Sequence, residues 1–385
     1  MVQKRKVLTI VGTRPELIKM SLVMARLDRL TNHVLVHTGQ NHDYELNQIF
    51  FDDLCIRKPD HFLEAAGSGP IDTIARIMIA TDRVLELEKP DAVLIYGDTN
   101  SGLAVIPAKR RKIPVFHMEA GNRCFDQRVP EELNRKVIDH LSDVNMVLTE
   151  HARHYLLAEG LPADRVFKTG SHMREVLDHF SDRISASQAL ETLGVEHDRF
   201  FLVSAHREEN VDRPDRLRAL INSLNLLANE FSFPVVVSTH PRTRNRLTDE
   251  IRDSLSSLVR FLPPFGFTDF IRLQKSAYCV ISDSGTITEE ASLLDLPALT
   301  MRDAHERPEG VDAGTLMTTS LEPQRILDAV RIVRDGFGDG RRFAGMVADY
   351  EAKQVSVQVV RIVLSYIDQI NSKVWYKGAP PESIA

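Results

Sequence analysis

Val7-Leu8-Thr9-Ile10-Val11-Gly12-Thr13-Arg14-Pro15-Glu16 opens the chain's first regular structure and sets the reading of the rest. Five β-favouring residues make a short continuous apolar run, which reads as a buried strand rather than a helix face. Gly12 then admits the tight backbone of a strand-to-helix turn. Pro15 falls near the first helical position, where its missing N–H costs nothing. Working outward, the same alternation of short β-rich runs and longer stretches of helical period continues to about Thr300. That is the pattern of repeated βαβ units, so the fold class is α/β with parallel sheets. Strands are predicted at 7–11, 34–37, 92–96, 115–117 and 144–148, and again at 201–204, 235–238, 259–262, 279–282 and 298–300. Between Lys168 and Arg199 the pattern breaks at Thr169-Gly170-Ser171, which places a hinge near Gly170. Two Rossmann-like doubly wound domains follow, 1–170 and 171–354, expected to face each other across a cleft. The amphipathic run Val355 to Ile370 predicts a helix over about 355–372 that packs back on the first domain.

A chain of 385 residues is long enough for two cores, since single cores rarely grow past about 250–300 residues. Apolar residues make up 43% and charged residues 26%, the balance of a soluble globular protein. The net charge of −6 is spread without a basic stripe, so nucleic acid is not an expected partner. The apolar run after the basic N-terminus is too short for a signal core or a spanning helix. No membrane insertion is expected, and the predicted location is cytoplasmic. Cys55, Cys124 and Cys279 lie far apart without CxxC spacing, which argues against a disulfide framework or a zinc site.

The polar clusters sit directly after predicted strands: Gly12-Thr13-Arg14, Gly97-Asp98-Thr99, Glu119-Ala120-Gly121, His206-Arg207, His240-Pro241 and Asp283-Ser284-Gly285. Open α/β sheets bind ligands outside the carboxyl ends of their strands. At Arg14 and Lys19 a helix start with backbone N–H groups and two cations suits a phosphate, although a plain capped helix with surface charges reads equally well. Ser284-Gly285-Thr286 would let the backbone approach a diphosphate at the start of a helix carrying Glu289 and Glu290, acids that also stabilise a helix dipole with no ligand. Neither turn is GxGxxG, and no Walker loop or HExxH spacing occurs. Asp98 taken alone reads as a helix cap, and Glu131 as a first-turn acid within reach of Arg135 at i+4. Glu119 ends an apolar strand with no cap obviously needed. His206 lies at a strand end, which slightly favours a functional role. His240 with the arginines after it is either a second anion patch or a solvated face, the latter preferred for the arginines.

These motifs resemble those of non-hydrolysing UDP-N-acetylglucosamine 2-epimerases over essentially the whole chain. The matching segments are Gly12-Thr13-Arg14-Pro15-Glu16 with Ile18-Lys19-Met20, Gly97-Asp98-Thr99, His117-Met118-Glu119-Ala120-Gly121, Pro130-Glu131-Glu132 with Asn134-Arg135, His206-Arg207, Ser282-Asp283-Ser284-Gly285, Glu289-Glu290 and Glu306-Arg307-Pro308-Glu309. The resemblance implies a fold like that of the GT-B glycosyltransferases, a homodimer, and neither a nicotinamide cofactor nor a metal. It makes Asp98, Glu119 and Glu131 the candidate proton-transfer residues and His206 a catalytic or diphosphate-stabilising group. It gives UDP-sugar contacts to Arg14, Lys19, Arg135, His240, Ser284, Gly285, Thr286 and Arg307, with Glu290 on the ribose hydroxyls. Ser284-Gly285-Thr286 departs from the Ser-Gly-Gly of many members, and Asn122 from their leucine. Gln40-Asn41-His42-Asp43-Tyr44 departs from the pattern of the allosterically regulated ones. With Asn122-Arg123-Cys124-Phe125-Asp126-Gln127-Arg128 and Ala304-His305-Glu306-Arg307-Pro308, the chain looks like the branch converting UDP-2-acetamido-2,6-dideoxy-L-talose to UDP-N-acetyl-L-fucosamine for capsule or O-antigen synthesis. The alternatives are a UDP-N-acetylglucosamine epimerase giving UDP-N-acetylmannosamine, a hydrolysing epimerase, a GT-B glycosyltransferase and a UDP-sugar sensor.

Overall fold

In a computed structural model, which describes residues 4–40, 51, 53–302, 306–335, 337 and 345–377, the chain forms two compact units. The first comprises Met1–Val176 with Ala352–Ala385, and the second Leu177–Glu351. Segment 41–44 and residues 304–305 lie outside the described residues.

The first unit holds β1 (Lys6–Val11), β2 (Asn32–His37), β3 (His61–Phe62), β4 (Ala92–Tyr96), β5 (Val115–Ala120), β6 (Val144–Val147) and β7 (Val166–Lys168). They form one sheet in the order β3-β2-β1-β4-β5-β6-β7, with every pairing parallel. The second holds β8 (Phe201–Ser204), β9 (Val235–Ser238), β10 (Val259–Leu262), β11 (Cys279–Ser282), β12 (Ala298–Thr300) and β13 (Met317–Thr318). Their order is β10-β9-β8-β11-β12-β13, again parallel throughout. In each sheet the order reverses beside the first strand, between β1 and β4 and between β8 and β11. Such switch points are where doubly wound sheets open a crevice at their carboxyl edge.

Alternation within the strands explains the layers. Phe201, Val203, Val235, Val237, Cys279 and Ile281 pack on one face with Leu220, Leu224 and Val330. Leu202, Val236 and Val280 pack on the other with Leu273, Ile287 and Ala291. Both faces are covered, so the strands read as continuous apolar runs. Cys279 is fully buried in this core, and that burial pushes its thiol up to about 12. β3, β7 and β13, only two or three residues each, were not expected; edge strands this short carry no periodicity.

The first division falls at Val176 rather than Gly170. Ser171, His172 and Met173 are buried, and the His172 ring meets that of Tyr96 at 5.6 Å, so chain beyond the glycine still packs in the first unit. The second falls at Glu351, ahead of position 354. Helix Val355–Lys373 buries Val359, Val363, Ile367 and Ile370, one face at helical spacing. It packs on helix Arg14–Leu30, where Arg26 Nε donates to Ser356 Oγ at 3.1 Å, and Arg5 grips Asp368 at 2.5 and 2.7 Å. Among the described residues no helix is long and apolar enough to cross a membrane.

Candidate functional site

Each sheet places polar side chains at its switch point. In the first unit, Gly12 ends β1 where a Cβ would collide with the Ser101 and Thr38 hydroxyls, themselves bonded at 2.8 Å. Arg14 starts the following helix, half-buried. The helix start is less open to an anion than its sequence suggests: the Glu16 carboxylate accepts from Gly12 N at 2.5 Å and Thr13 N at 3.1 Å. Its other oxygen accepts from Thr99 Oγ1 at 2.6 Å. Burial pushes Glu16 up to about 7, with the nearby Asp98 charge acting the same way against these hydrogen bonds.

Glu119 owes its position to a break in β5. The ladder to β6 shifts register between Met118 and Ala120, and Glu119 takes φ of 62°. This left-handed conformation is costly for a residue with a Cβ, and such strain clusters at functional sites. The bulge aims the carboxylate at Lys19 Nζ, 2.8 Å away, and at the Tyr96 hydroxyl, which donates to the same oxygen. Lys19 is only 2% exposed. The Coulomb attraction between this ammonium and the carboxylate is correspondingly little screened. Glu119 Oε1 also lies 4.0 Å from where a Gly97 Cβ would stand, beside the turn that carries Asp98.

Asp98 accepts from Arg135 Nε at 2.8 Å, and Arg135 Nη1 continues to Glu132 at 2.8 Å. Asn134 Nδ2 donates to the Asp98 carbonyl at 3.0 Å. Glu131, half-buried, opens the same helix, Pro130–Leu141. The structure thus groups Lys19 with Glu119 and Asp98 with Arg135.

Sequence reasoning missed the frame beneath. Buried Asp139 receives His117 Nδ1 at 2.9 Å, Arg123 Nη1 at 2.7 Å and Gly121 N at 3.2 Å. His117 Nε2 holds the Gly97 carbonyl at 2.8 Å. Burial opposes the Asp139 charge, but His117 and Arg123 outweigh it and hold the carboxyl below its usual range. Gly121 has φ of 82°, and a Cβ there would sit 2.5 Å from the Ala152 carbonyl oxygen. Gly121→Ala is expected to cost about 1–3 kcal/mol from strain alone, read as a lower midpoint in urea unfolding.

In the second unit, Asp283 at the end of β11 is fully buried. It accepts from His206 N at 3.0 Å, Arg207 N at 2.9 Å and Asn210 Nδ2 at 3.0 Å. His206 Nδ1 stands 3.3 Å from the same carboxylate, which fixes the imidazole beyond β8. The His240 ring lies 5.5 Å from that of His206, and its Nδ1 accepts from Arg242 N at 3.2 Å as a helix cap. Arg242 and Arg246 pair with Glu208 and Asp212 near the surface, the solvated face.

Ser284-Gly285-Thr286 forms a turn, and the helix begins at Ile287 with Thr286 as N-cap, later than the expected start at Ser284. Ser284 Oγ lies 3.1 Å from Thr286 Oγ1. Ser284 and Gly285 share a small cavity with Thr288, Thr300, Arg302, Glu306, Arg307 and Leu316. The two helix acids are not surface dipole partners: Glu289 pairs with buried Arg307, and Glu290 accepts from Gln274 Nε2 at 2.6 Å. Among the described residues no group of three or more His, Cys, Asp or Glu could hold a metal ion.

The two switch points, with a carboxylate–cation pair at one and a histidine and a hydroxyl turn at the other, carry groups suited to moving protons and holding an anion. Comparison with known proteins shows what the chain is similar to. The model of the UDP-N-acetylglucosamine 2-epimerase family matches residues 25–364. The solved UDP-N-acetylglucosamine 2-epimerase of Rickettsia bellii is 56% identical, with TM-score 0.92 over 97% of this chain and 100% of that one. Methanocaldococcus jannaschii UDP-GlcNAc 2-epimerase, solved in complex with UDP-GlcNAc and UDP, is 30% identical with TM-score 0.86, covering 94% and 99%. The UDP-2,3-diacetamido-2,3-dideoxy-D-glucuronate 2-epimerase of Pseudomonas aeruginosa is 34% identical over 361 residues, 90% of this chain and 99% of that one.

Proposed function

The chain belongs to the UDP-N-acetylglucosamine 2-epimerase family and is an isomerase acting as a UDP-sugar 2-epimerase; from that premise we propose that it inverts C2 of UDP-2-acetamido-2,6-dideoxy-L-talose, giving UDP-N-acetyl-L-fucosamine for capsule or O-antigen synthesis. The observation that carries the proton-transfer part of this reading is the Lys19–Glu119–Tyr96 cluster at a strained bulge.

No carbonyl acidifies the C2 proton of a glycosyl nucleotide, so the C1–O bond must break before or with its removal. The bonding pair leaves with UDP, positive charge develops at C1, and C2–H becomes acidic. A carboxylate takes the proton and a 2-acetamidoglycal results. The return step delivers a proton to the opposite face of C2 while a UDP oxygen rejoins C1, so two acid/base groups are required. Asp98, Glu119 and Glu131 share these roles. Arg14, Lys19 and His206 stabilise the departing diphosphate electrostatically. Ser284, Gly285 and Thr286 hold it through hydroxyl and backbone groups, Glu290 takes the ribose, and Arg135, His240 and Arg307 complete the contacts. The reaction is redox-neutral and calls on neither NAD nor a metal, and the working form is a homodimer.

The substrate assignment rests on the combination of the segment Asn122 to Arg128, Ser284-Gly285-Thr286 and the segment Ala304 to Pro308. The relatives' names favour UDP-N-acetylglucosamine as the second reading. A proton NMR time course in D2O with each UDP-sugar decides. Loss of the C2 proton and growth of the epimer with the 6-deoxy-L-sugar alone supports the assignment. Exchange with UDP-N-acetylglucosamine alone replaces the substrate and keeps the chemistry. Stoichiometric release of UDP dependent on an acceptor would instead indicate a transferase.

A further inference from the structure

Glu16 takes no part in the reading above, yet it is 2% exposed and its two oxygens serve two different strand ends. A capping box needs only the bond to Thr13 N. The additional bonds reach Gly12 N at the end of β1 and Thr99 Oγ1 just beyond β4, the two strands that flank the switch point. A glutamate on the open side of the helix would cap equally well without losing hydration, and burial here opposes the charge strongly enough to push the carboxyl up to about 7. On the other side, Asn134 and Arg135 hold the Asp98 carbonyl and carboxylate.

We propose that Glu16 is a positioning residue that clamps the Asp98-Thr99 turn to the end of β1, so that Asp98 is presented from a turn held on both sides. The use made of Asp98 rests on the proposed function; the clamp itself does not. Two readouts on the full chain separate them: deuterium uptake by peptides covering residues 97–104, and C2 proton exchange alongside UDP affinity.

Glu16→Ala is expected to speed uptake in that peptide and to lower turnover by about 10- to 100-fold, the scale of an ångström-level misplacement, with UDP affinity almost unchanged. Glu16→Gln should restore both, because its amide oxygen can accept the backbone N–H groups while its NH2 donates to the Thr99 hydroxyl. Thr99→Val, which removes the clamped hydroxyl and with it the cap on Ser101 N, should reproduce the loss of turnover and carries that readout if Glu16→Ala does not fold. The double variant should lose less than the product of the two single losses, the mark of a shared interaction. Unchanged uptake in the single variants, additive losses, or a parallel loss of UDP affinity would overturn the clamp. Absence of C2 exchange in the unaltered protein would sink the proposed function, and peptide uptake would still decide the clamp.

Discussion

Glu119→Gln is expected to lower C2 proton exchange by about 10²–10⁴-fold, the contribution typical of a positioned acid or base, while UDP still binds. The amide keeps the volume of the carboxylate and can still accept from Lys19 Nζ and the Tyr96 hydroxyl, at which the bulge aims it. What it loses is the capacity to take up a proton. The φ of 62° at this position is unchanged by the substitution, so backbone strain is matched between the two proteins. Deuterium incorporation at C2 followed by NMR, with UDP affinity measured by calorimetry, separates chemistry from binding. Turnover near that of the unaltered protein would remove Glu119 from the proton-transfer set. A loss of UDP affinity as large as the loss of turnover would make it a binding residue.

The second large effect lies beneath the site. Asp139→Ala would leave the Arg123 guanidinium, 1% exposed, without one of its two carboxylates and would remove the acceptor of His117 Nδ1 and Gly121 N. Breaking a buried pair from one side typically costs about 3–5 kcal/mol, so the first unit should unfold at markedly lower urea. The pH dependence has a definite sign. Because the folded Asp139 carboxyl lies below its usual range, its contribution is complete above the unfolded carboxylate value of about 4. It declines as pH falls through the lower folded value. The stability difference between the unaltered protein and Asp139→Ala should therefore be constant near neutrality and shrink on acidification below about pH 4. A gap that stays constant into that range would show that Asp139 acts through packing rather than charge.

The strand cores were legible in the sequence because a strand buried on both faces announces itself as a short apolar run. Ala92–Tyr96, Phe201–Ser204, Val235–Ser238, Val259–Leu262, Cys279–Ser282 and Ala298–Thr300 fall where the residues predict them. The polar clusters were legible for a related reason: in a parallel sheet each run ends at the same edge, so residues that follow runs gather there. By itself, then, the sequence determined the class, the strands inside each sheet and the edge at which the chemistry-bearing residues lie.

What only the tertiary structure decided was partnership. Strand order, and with it the switch points, depends on which runs pair, and no local period encodes that. Folding brings Lys19 to Glu119, 100 residues away, and Arg135 to Asp98, 37 residues away, as well as to Glu132 on its own helix. Glu289 and Glu290 read as dipole acids until Arg307 and Gln274 are folded against them. Propensity and periodicity act over a few neighbouring residues, whereas the pairing of buried charges is set by the desolvation each must offset. That cost exists only once the sheets have closed around them.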